Sequence, residues 1–486
     1  MEKMSGNILS GNFDEVTSYN RKELNSKMVH IGFGAFHRGH QAVYNDLTNQ
    51  LSEEKWGICE INMFGSPALI NDLQAQDNLF SVVETSKSEM KTRLVRTINE
   101  SMHTPVDGIQ RAIEKLVEPQ VSIVSMTITE KGYCADPQSR ELDKTNPLIV
   151  HDLENSSAPQ SAIGLICEAL RIRKEKALPP FSVMSCDNIP ENGILTKDVI
   201  IEFASLLDES LSQWIESNVT FPSTMVDRIV PAMTEEQFEV VERQTGYRDP
   251  CGIVCEDFRQ WVVEDNFVAG RPDWDKAGAM LVEDVLPYEE MKLRMLNGSH
   301  SFLAYNGSLA GYEYIYQCME DEQLRKVTHK LMVEEQGRSL SPNLDVNLNE
   351  YADLLIERFS NPNVKHKTAQ IAMDGSQKLP QRAIDPFLTL QQRSIESKVQ
   401  PTIVAGWMHY LIQLQESNQE IYDPLADSFK EIITAEDTES RANAFLSLEA
   451  IFGAHGKENN QFIDQVLSKY KEIDNDGIKS TIANLV

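Results

Sequence analysis

From Met28 to Leu207 short β-branched runs alternate with helical periods, and after about residue 285 the strand-like runs nearly vanish. This order constrains the fold more than any single motif does. Met28–Phe33 (MVHIGF) runs into a glycine turn, and Gly39–Gln50 then reads as a helix. Trp56–Asn62 (WGICEIN) reads as a strand, with Asn78–Glu84 and Thr92–Ile98 as two more. Asp107–Leu116 places Ile109, Ile113 and Leu116 on one helical face. Gln120–Ile128 (QVSIVSMTI) is β-branched and apolar, as a strand buried on both faces should be. Ala162–Lys176 is helical and Phe181–Cys186 is a strand. Val199, Ile200, Phe203, Leu206 and Leu207 mark another helix. The alternation predicts an α/β domain with a mainly parallel sheet and helices on both faces. Further on, Met291–Asn306, Glu320–Glu335, Asn347–Arg358, Ile403–Leu414, Pro424–Ile433, Ser440–Phe452 and Asn460–Tyr470 all read as helices. A boundary after Leu286–Pro287 gives two domains, 1–287 and 288–486. Clefts between domains are where small-molecule sites tend to lie.

Charge decides which partners such a chain admits. With 45 basic and 74 acidic residues its net charge is −29. Such a surface repels nucleic acid and anionic membrane, so an anionic ligand needs a local basic pocket. No apolar run is long enough to span a membrane. The opening MEKMSGNILSGNFDE has no apolar signal core, and a cytoplasmic protein is expected. Seven cysteines are scattered; Cys251 and Cys255 are close, but no second pair or nearby histidine completes a zinc set. Reduced buried thiols and no metal are therefore expected.

VHIGFGAFHRGHQA (Val29–Ala42) ends the first strand and opens the first helix. A dinucleotide loop needs a tight turn, a backbone free of side chains near the pyrophosphate, and helix N–H groups aimed at the anion. Gly32 and Gly34 meet the first two needs, within the turn Gly32, Phe33, Gly34, Ala35 and Phe36; Arg38 is a further phosphate candidate. The third glycine of G-x-G-x-x-G falls at His37, a departure from the pattern. An acid at the end of the second strand holds the ribose in such folds, typically ~20 residues on. Glu60 lies farther along than that, with Asn62 after it. No Lys or Arg falls between Trp56 and Ser86. That favours NAD(H), with NADP(H) kept open.

KLRMLNGSH (Lys292–His300) gathers a lysine, an amide and an imidazole. On an ideal helix Lys292 and His300 point within a quarter turn of each other and lie ~12 Å apart along the axis, with Asn297 further round. Only the lysine stem, or a break at Gly298, lets both reach one carbon centre. A lysine in a dry site loses its proton more readily and serves as a general base. An amide N–H from Asn297 would stabilise a developing alkoxide, and His300 could donate to the same oxygen. SCDNIPENG puts Asp187, Asn188 and Asn192 past an apolar strand, and TITEKGY does the same with Glu130 and Lys131. Ligands bind at that edge of doubly wound sheets. The bland alternatives are a solvated lysine, an Asn-Gly cap, a satisfied histidine and ordinary turn chemistry.

GFGAFHRGHQA, TITEKGYC, MSCDNIPENG, FPSTMVDRIVP, QWVVEDNFVAGRPDW, MKLRMLNGSHS and DGSQKLPQR together resemble the signature segments of the mannitol dehydrogenase family. These are zinc-independent, polyol-specific long-chain dehydrogenases, and the likeness runs from about residue 28 to near 410. It implies a Rossmann-like N-terminal domain and a mostly helical C-terminal one. In K-x-x-x-x-N-x-x-H it implies Lys292 as general base, Asn297 with Asn188 as oxyanion hole, and His300 as the group orienting substrate. Asp227 would lie near nicotinamide and substrate, and Glu130 would exchange the proton with solvent. NAD-specific members carry an aspartate after the second strand, where this chain has Phe64, Gly65, Ser66 and Pro67. MDGSQKLPQR, WGICE and KGYCADP look most like the fructuronate reductase, or mannonate oxidoreductase, subgroup. A sugar acid brings a carboxylate, which wants a cation; Lys378 and Arg382 are candidates, Arg294 and Arg38 others. The expected reaction is NADH-dependent reduction of D-fructuronate to D-mannonate and its reverse. Alternatives are a mannitol or other polyol dehydrogenase, a tagaturonate reductase, or an NAD-binding sensor without turnover. The likeness also implies a monomer.

Overall fold

Strands of the first unit place alternate residues on opposite faces, and both faces are apolar. In the computed structural model, residues 7–136, 139–435 and 437–486 are described. Residues 1–6 of the opening segment and Pro137 of KGYCADP lie outside them. The chain forms two compact units, Met1–Leu286 and Pro287–Val486.

In the first unit, β1 (Asn25–Ile31), β2 (Trp56–Asn62), β3 (Ile98–His103), β4 (Ile123–Met126) and β5 (Ser182–Ser185) form one sheet in the order β3-β2-β1-β4-β5. Every pairing in it is parallel. Val29 and Ile31 face a core shared with the helices Ile109–Val117, Ala162–Glu175 and Asn192–Leu207. Met28 faces the opposite core with Val43 and Tyr44 of the helix Gln41–Leu51. This is the Rossmann-like order, and it brings the ends of β1 and β4, where the strand order reverses, side by side.

Two expected strands lie elsewhere. Phe80–Thr85 and Met90–Val95 pair antiparallel, Phe80 opposite Val95 and Thr85 opposite Met90. They belong to a separate four-stranded sheet with Glu15–Val16 and Ile253–Glu256. Their connection is too short for a parallel crossover, so a hairpin is the available solution. A third sheet joins Met280–Val282, Gln260–Glu264 and Thr224–Asp227.

The second unit is helical, with no strand among the described residues. Gly298–Leu309 packs on Gln400–Glu416, where a Cβ at Gly406 would meet the Asn306 side chain at 2.2 Å. Trp407 sits edge-on to Phe429, Phe445 and Phe452. Where Met291–Asn306 was expected as one α-helix, the segment Lys292–Asn297 is a π-helix. Two more π segments occur among the described residues, Leu331–Gln336 and Pro380–Ile384. All seven cysteines are buried, and none is joined in a disulfide. No helix is long and apolar enough to cross a membrane among the described residues.

Candidate active site

The turn after β1 depends on glycine. Gly32 has φ +106°, and a Cβ there would sit 2.2 Å from the Thr127 carbonyl oxygen at the end of β4. Gly34 is exposed, with only the Gly32 carbonyl oxygen, 4.0 Å away, near where a Cβ would be, and precedes the helix Ala35–Gly39. Phe33 is buried, so this residue offers a ligand its backbone only. Ala35 and Phe36 are half-buried, and the Phe36 ring stacks on His40. Arg38 is buried with its guanidinium 4.9 Å above the Phe33 ring. Its Nε and Nη1 have no partner among the described residues. Burial lowers its pKa, and the nearby acids Asp249 and Glu60 oppose that. A buried guanidinium with open N–H groups beside a bare glycine turn fits a pyrophosphate.

Glu60 corrects one expectation. Its carboxylate is fully buried, and Oε1 lies 2.7 Å from His37 Nε2. A ribose acid must present an oxygen to the ligand; Glu60 is turned into the protein instead. Asn62, half-buried at the end of β2, donates from Nδ2 to the Phe64 carbonyl at 3.1 Å.

The loops after β4 and β5 are tied together. Asp187 accepts from Ile128 N, Thr129 N and the Tyr133 hydroxyl at 2.9, 3.0 and 2.8 Å. It thereby shapes the turn carrying exposed Glu130. Asn192 bridges the other way, donating to the carbonyls of Asp187 and Thr224 and accepting from Thr224 N. That holds exposed Asn188 beside the strand ending at buried Asp227. Glu130, Asn188 and Asp227 thus all lie at strand ends of the first unit.

In the second unit the π-helix changes the geometry expected of Lys292, Asn297 and His300. A π turn closes from residue i to i+5 and so holds one residue more than an α turn. Here the Gly298 N–H donates to the Leu293 carbonyl. With the extra residue absorbed, positions 292, 297 and 300 are spaced like i, i+4 and i+7 of an α-helix, which share one face. No break occurs at Gly298, whose backbone is helical at φ −64° and ψ −43°.

Lys292 is 8% exposed and His300 6%. His300 packs on Phe359 with ring centroids 4.3 Å apart and meets His366 edge-on at 5.2 Å. Its Nε2 is buried without a partner among the described residues. Burial, then His366, Arg358, Arg382 and Lys292, hold its pKa well below the usual imidazole range, so the ring is neutral at pH 7. Arg382 donates from Nη1 to the Asn297 carbonyl at 3.4 Å and to Ser301 Oγ at 3.2 Å. Lys378 donates to the carbonyls of Ile371 and Met373. Burial and Arg382 push its pKa down to about 8, which leaves it mostly cationic at pH 7. Arg294 is taken out of the carboxylate candidates: it donates to Ser339 O at 2.6 Å and pairs with Glu290. Arg358 and His366 were not anticipated. His366 lies in a run of polar and basic residues, NPNVKHK (361–367), which reads as an ordinary surface loop, and Arg358 closes the helix Leu348–Phe359, where a basic last turn is usual.

Comparison with known proteins finds relatives over most of the chain. The family model of the Mannitol dehydrogenase Rossmann domain matches residues 26–276, and that of the Mannitol dehydrogenase C-terminal domain matches 284–474. The D-mannonate oxidoreductase of Escherichia coli K12 is 47% identical over 472 residues, 96% of this chain and 97% of that protein. The uncharacterized oxidoreductase YdfI of the same strain is also 47% identical, over 483 residues and 99% of both chains. The Pseudomonas fluorescens mannitol 2-dehydrogenase, solved as a ternary complex with NAD and D-mannitol, superposes with a TM-score of 0.83 at 34% identity, covering 99% of this chain and 98% of that one. The chain is an oxidoreductase belonging to the mannitol dehydrogenase family.

Proposed function

We propose that this enzyme reduces the ketone of a sugar acid, D-fructuronate, to D-mannonate, and runs the reverse reaction, with NAD(H) as cofactor. The observation that carries the substrate class is the basic surround of His300. Arg358, Arg382 and Lys292 are the basic side chains that bear on that ring, beside a His366 that burial keeps neutral, in a chain of net charge −29. Cations collected against the overall field suit an anionic ligand. The kinship with a D-mannonate oxidoreductase supports the same class.

NAD(H) would be held by the Gly32–Gly34 turn and Arg38, and supplies the hydride equivalent when bound. In the oxidation direction Lys292 takes the hydroxyl proton; in reduction it returns a proton to the carbonyl oxygen. The family resemblance assigns an amide donor for the developing oxyanion to each unit, Asn297 in the second and Asn188 in the first. Neutral His300, with Nε2 open, orients a substrate oxygen. Arg382 uses only Nη1 for its bonds among the described residues. Its remaining N–H groups and the Lys378 ammonium would take the substrate carboxylate. Asp227 would contact substrate hydroxyls, and Glu130, being exposed, would pass the proton to solvent.

The test is NADH oxidation with D-fructuronate beside D-fructose at matched concentrations. The expected outcome is a preference of about 100-fold or more in kcat/KM for fructuronate, the scale of one lost charge-assisted contact. A preference for fructose would move the enzyme to the neutral polyol class. Tight NADH binding with no turnover on either would favour the sensor or another uronate.

A further inference from the structure

His37, at the third fingerprint position, carries a side chain for which nucleotide binding has no direct use. The third glycine normally lets the helix approach the sheet closely. Here the helix Ala35–Gly39 is fastened to β2 by a side-chain pair, His37 Nε2 to Glu60 Oε1 at 2.7 Å, with side chains 1% and 0% exposed. The His37 ring stacks on His30 of β1, centroids 3.5 Å apart and planes 15° from parallel. Glu60, His30 and Ser125 stand in register across β2, β1 and β4.

The hydrogen bonds from His30 have a direction. Thr127 Oγ1 lies 2.9 Å from the Gly32 carbonyl, which can only accept, so the threonine proton points there. Thr127 Oγ1 must then accept from His30 Nε2–H at 2.9 Å. That leaves His30 Nδ1 to accept from the Ser125 hydroxyl at 2.8 Å. The chain Ser125 to His30 to Thr127 ends on the carbonyl of Gly32, whose φ of +106° only glycine adopts readily.

We infer that His37 and Glu60 are positioning residues for the dinucleotide turn: they clamp the helix to β2 in place of the third glycine, and they lock the His30–Thr127 chain that fixes the Gly32 carbonyl. The inference rests on the nucleotide-binding reading above. Burial holds His37 down to about 3 and Glu60 up to about 7. Below about pH 7 the acid donates to the neutral imidazole, and above it the imidazole Nε2–H donates to the carboxylate; a glutamine amide can imitate either partner. His30, His37 and Glu60 could also be read as ligands of a metal ion, since one atom of each lies within 4.8 Å of the others. Against that reading, both His30 nitrogens are already engaged by hydroxyls.

The experiment is steady-state kinetics of Glu60→Ala, Glu60→Gln and Thr127→Val with NADH varied, beside NADH titration of the wild type and elemental analysis of the purified protein. Glu60→Ala is expected to raise the KM for NADH about tenfold, one typical hydrogen bond's worth of affinity, with kcat at saturating NADH held within about twofold. Glu60→Gln is expected to restore the wild-type KM. An unchanged KM in Glu60→Ala, a loss confined to kcat, or a glutamine variant as impaired as alanine would overturn the inference. So would a stoichiometric metal that Glu60→Ala loses. Should Glu60→Ala not fold, Thr127→Val decides: it keeps the shape and removes the hydroxyl on Gly32, and an unchanged KM for NADH would sink the inference. Failure of the wild type to bind NADH would instead refute the nucleotide reading itself.

Discussion

At the scale of one residue, Lys292 carries the most direct claim. It is buried, and the extra residue of the π segment puts positions 292, 297 and 300 on one helical face. Lys292→Ala should therefore lower kcat about 10²–10⁴-fold, the range for a lost general acid–base group, while NADH affinity stays near wild type. Rates near wild type in that variant would refute the lysine base. The Lys–Asn–His spacing could be read in the sequence, but spacing alone suits a solvated lysine and an Asn-Gly cap equally well; the roles proposed for it come from the family resemblance. Glu60 misled for a different reason. A strand's two-residue period says which face a side chain takes, but not that a histidine from the next helix will cover it. Arg358 and His366 were invisible because their relation to His300 is made by packing between segments far apart in sequence.

At the scale of elements, the three π segments of the second unit form one assembly. Gly298 follows the first; a Cβ there would meet Gln336 Nε2 of the second at 2.5 Å and the Arg382 carbonyl oxygen of the third at 3.0 Å. Ser299 Oγ donates to Gln336 Oε1 at 2.9 Å. Glu335, beside it, accepts from Ser397 Oγ and the N–H groups of Lys398, Val399 and Gln400. Gly298→Ala must therefore move either a buried amide or the backbone of Arg382. We expect a destabilisation of about 1–3 kcal/mol, the usual cost of overpacking, together with a fall in kcat as Asn297 and Arg382 shift. Thermal unfolding and kinetics read the two effects, and an unchanged kcat would show that the π turns do not set the catalytic face. Helix existence in this unit was legible from its apolar period, but the π turn was not: one extra residue leaves no mark that a period of 3.6 can reveal. In the first unit the parallel strands were legible as β-branched runs. The hairpin Phe80–Thr85/Met90–Val95 could have been separated from them by its four-residue connection, Ser86–Glu89.

At the scale of the whole molecule, pH sets two forces against each other. The chain carries −29 charges, and acid would relieve their repulsion. Ordinary carboxylates titrate near pH 4, so little is relieved between pH 7 and pH 5. Histidines titrate inside that window. His30 and His300 are buried with pKa values depressed well below 6.5 by desolvation, so the folded chain leaves them neutral while the unfolded chain protonates them. A depressed folded pKa means stability that is present above about pH 6.5 and is lost as pH falls below it. His37, held down to about 3, would add to this, but Glu60, held up to about 7, cancels it. From about pH 4.5 to 6.5 the folded pair keeps one proton on Glu60 and the unfolded pair keeps one on His37, so the pair is silent there. The expected outcome is lower thermal stability at pH 5.5 than at pH 7.5, with the histidines that burial holds down, His30, His300, His366 and His409, as the source. The control is salt. At about 0.5 M the Debye length is shorter than the spacing of most surface charges, so repulsion is screened while buried histidines are not. The acid loss should survive in high salt; if stability instead rises toward pH 5.5 at both ionic strengths, the buried histidines are not neutral and the arrangement around His300 has to be redrawn.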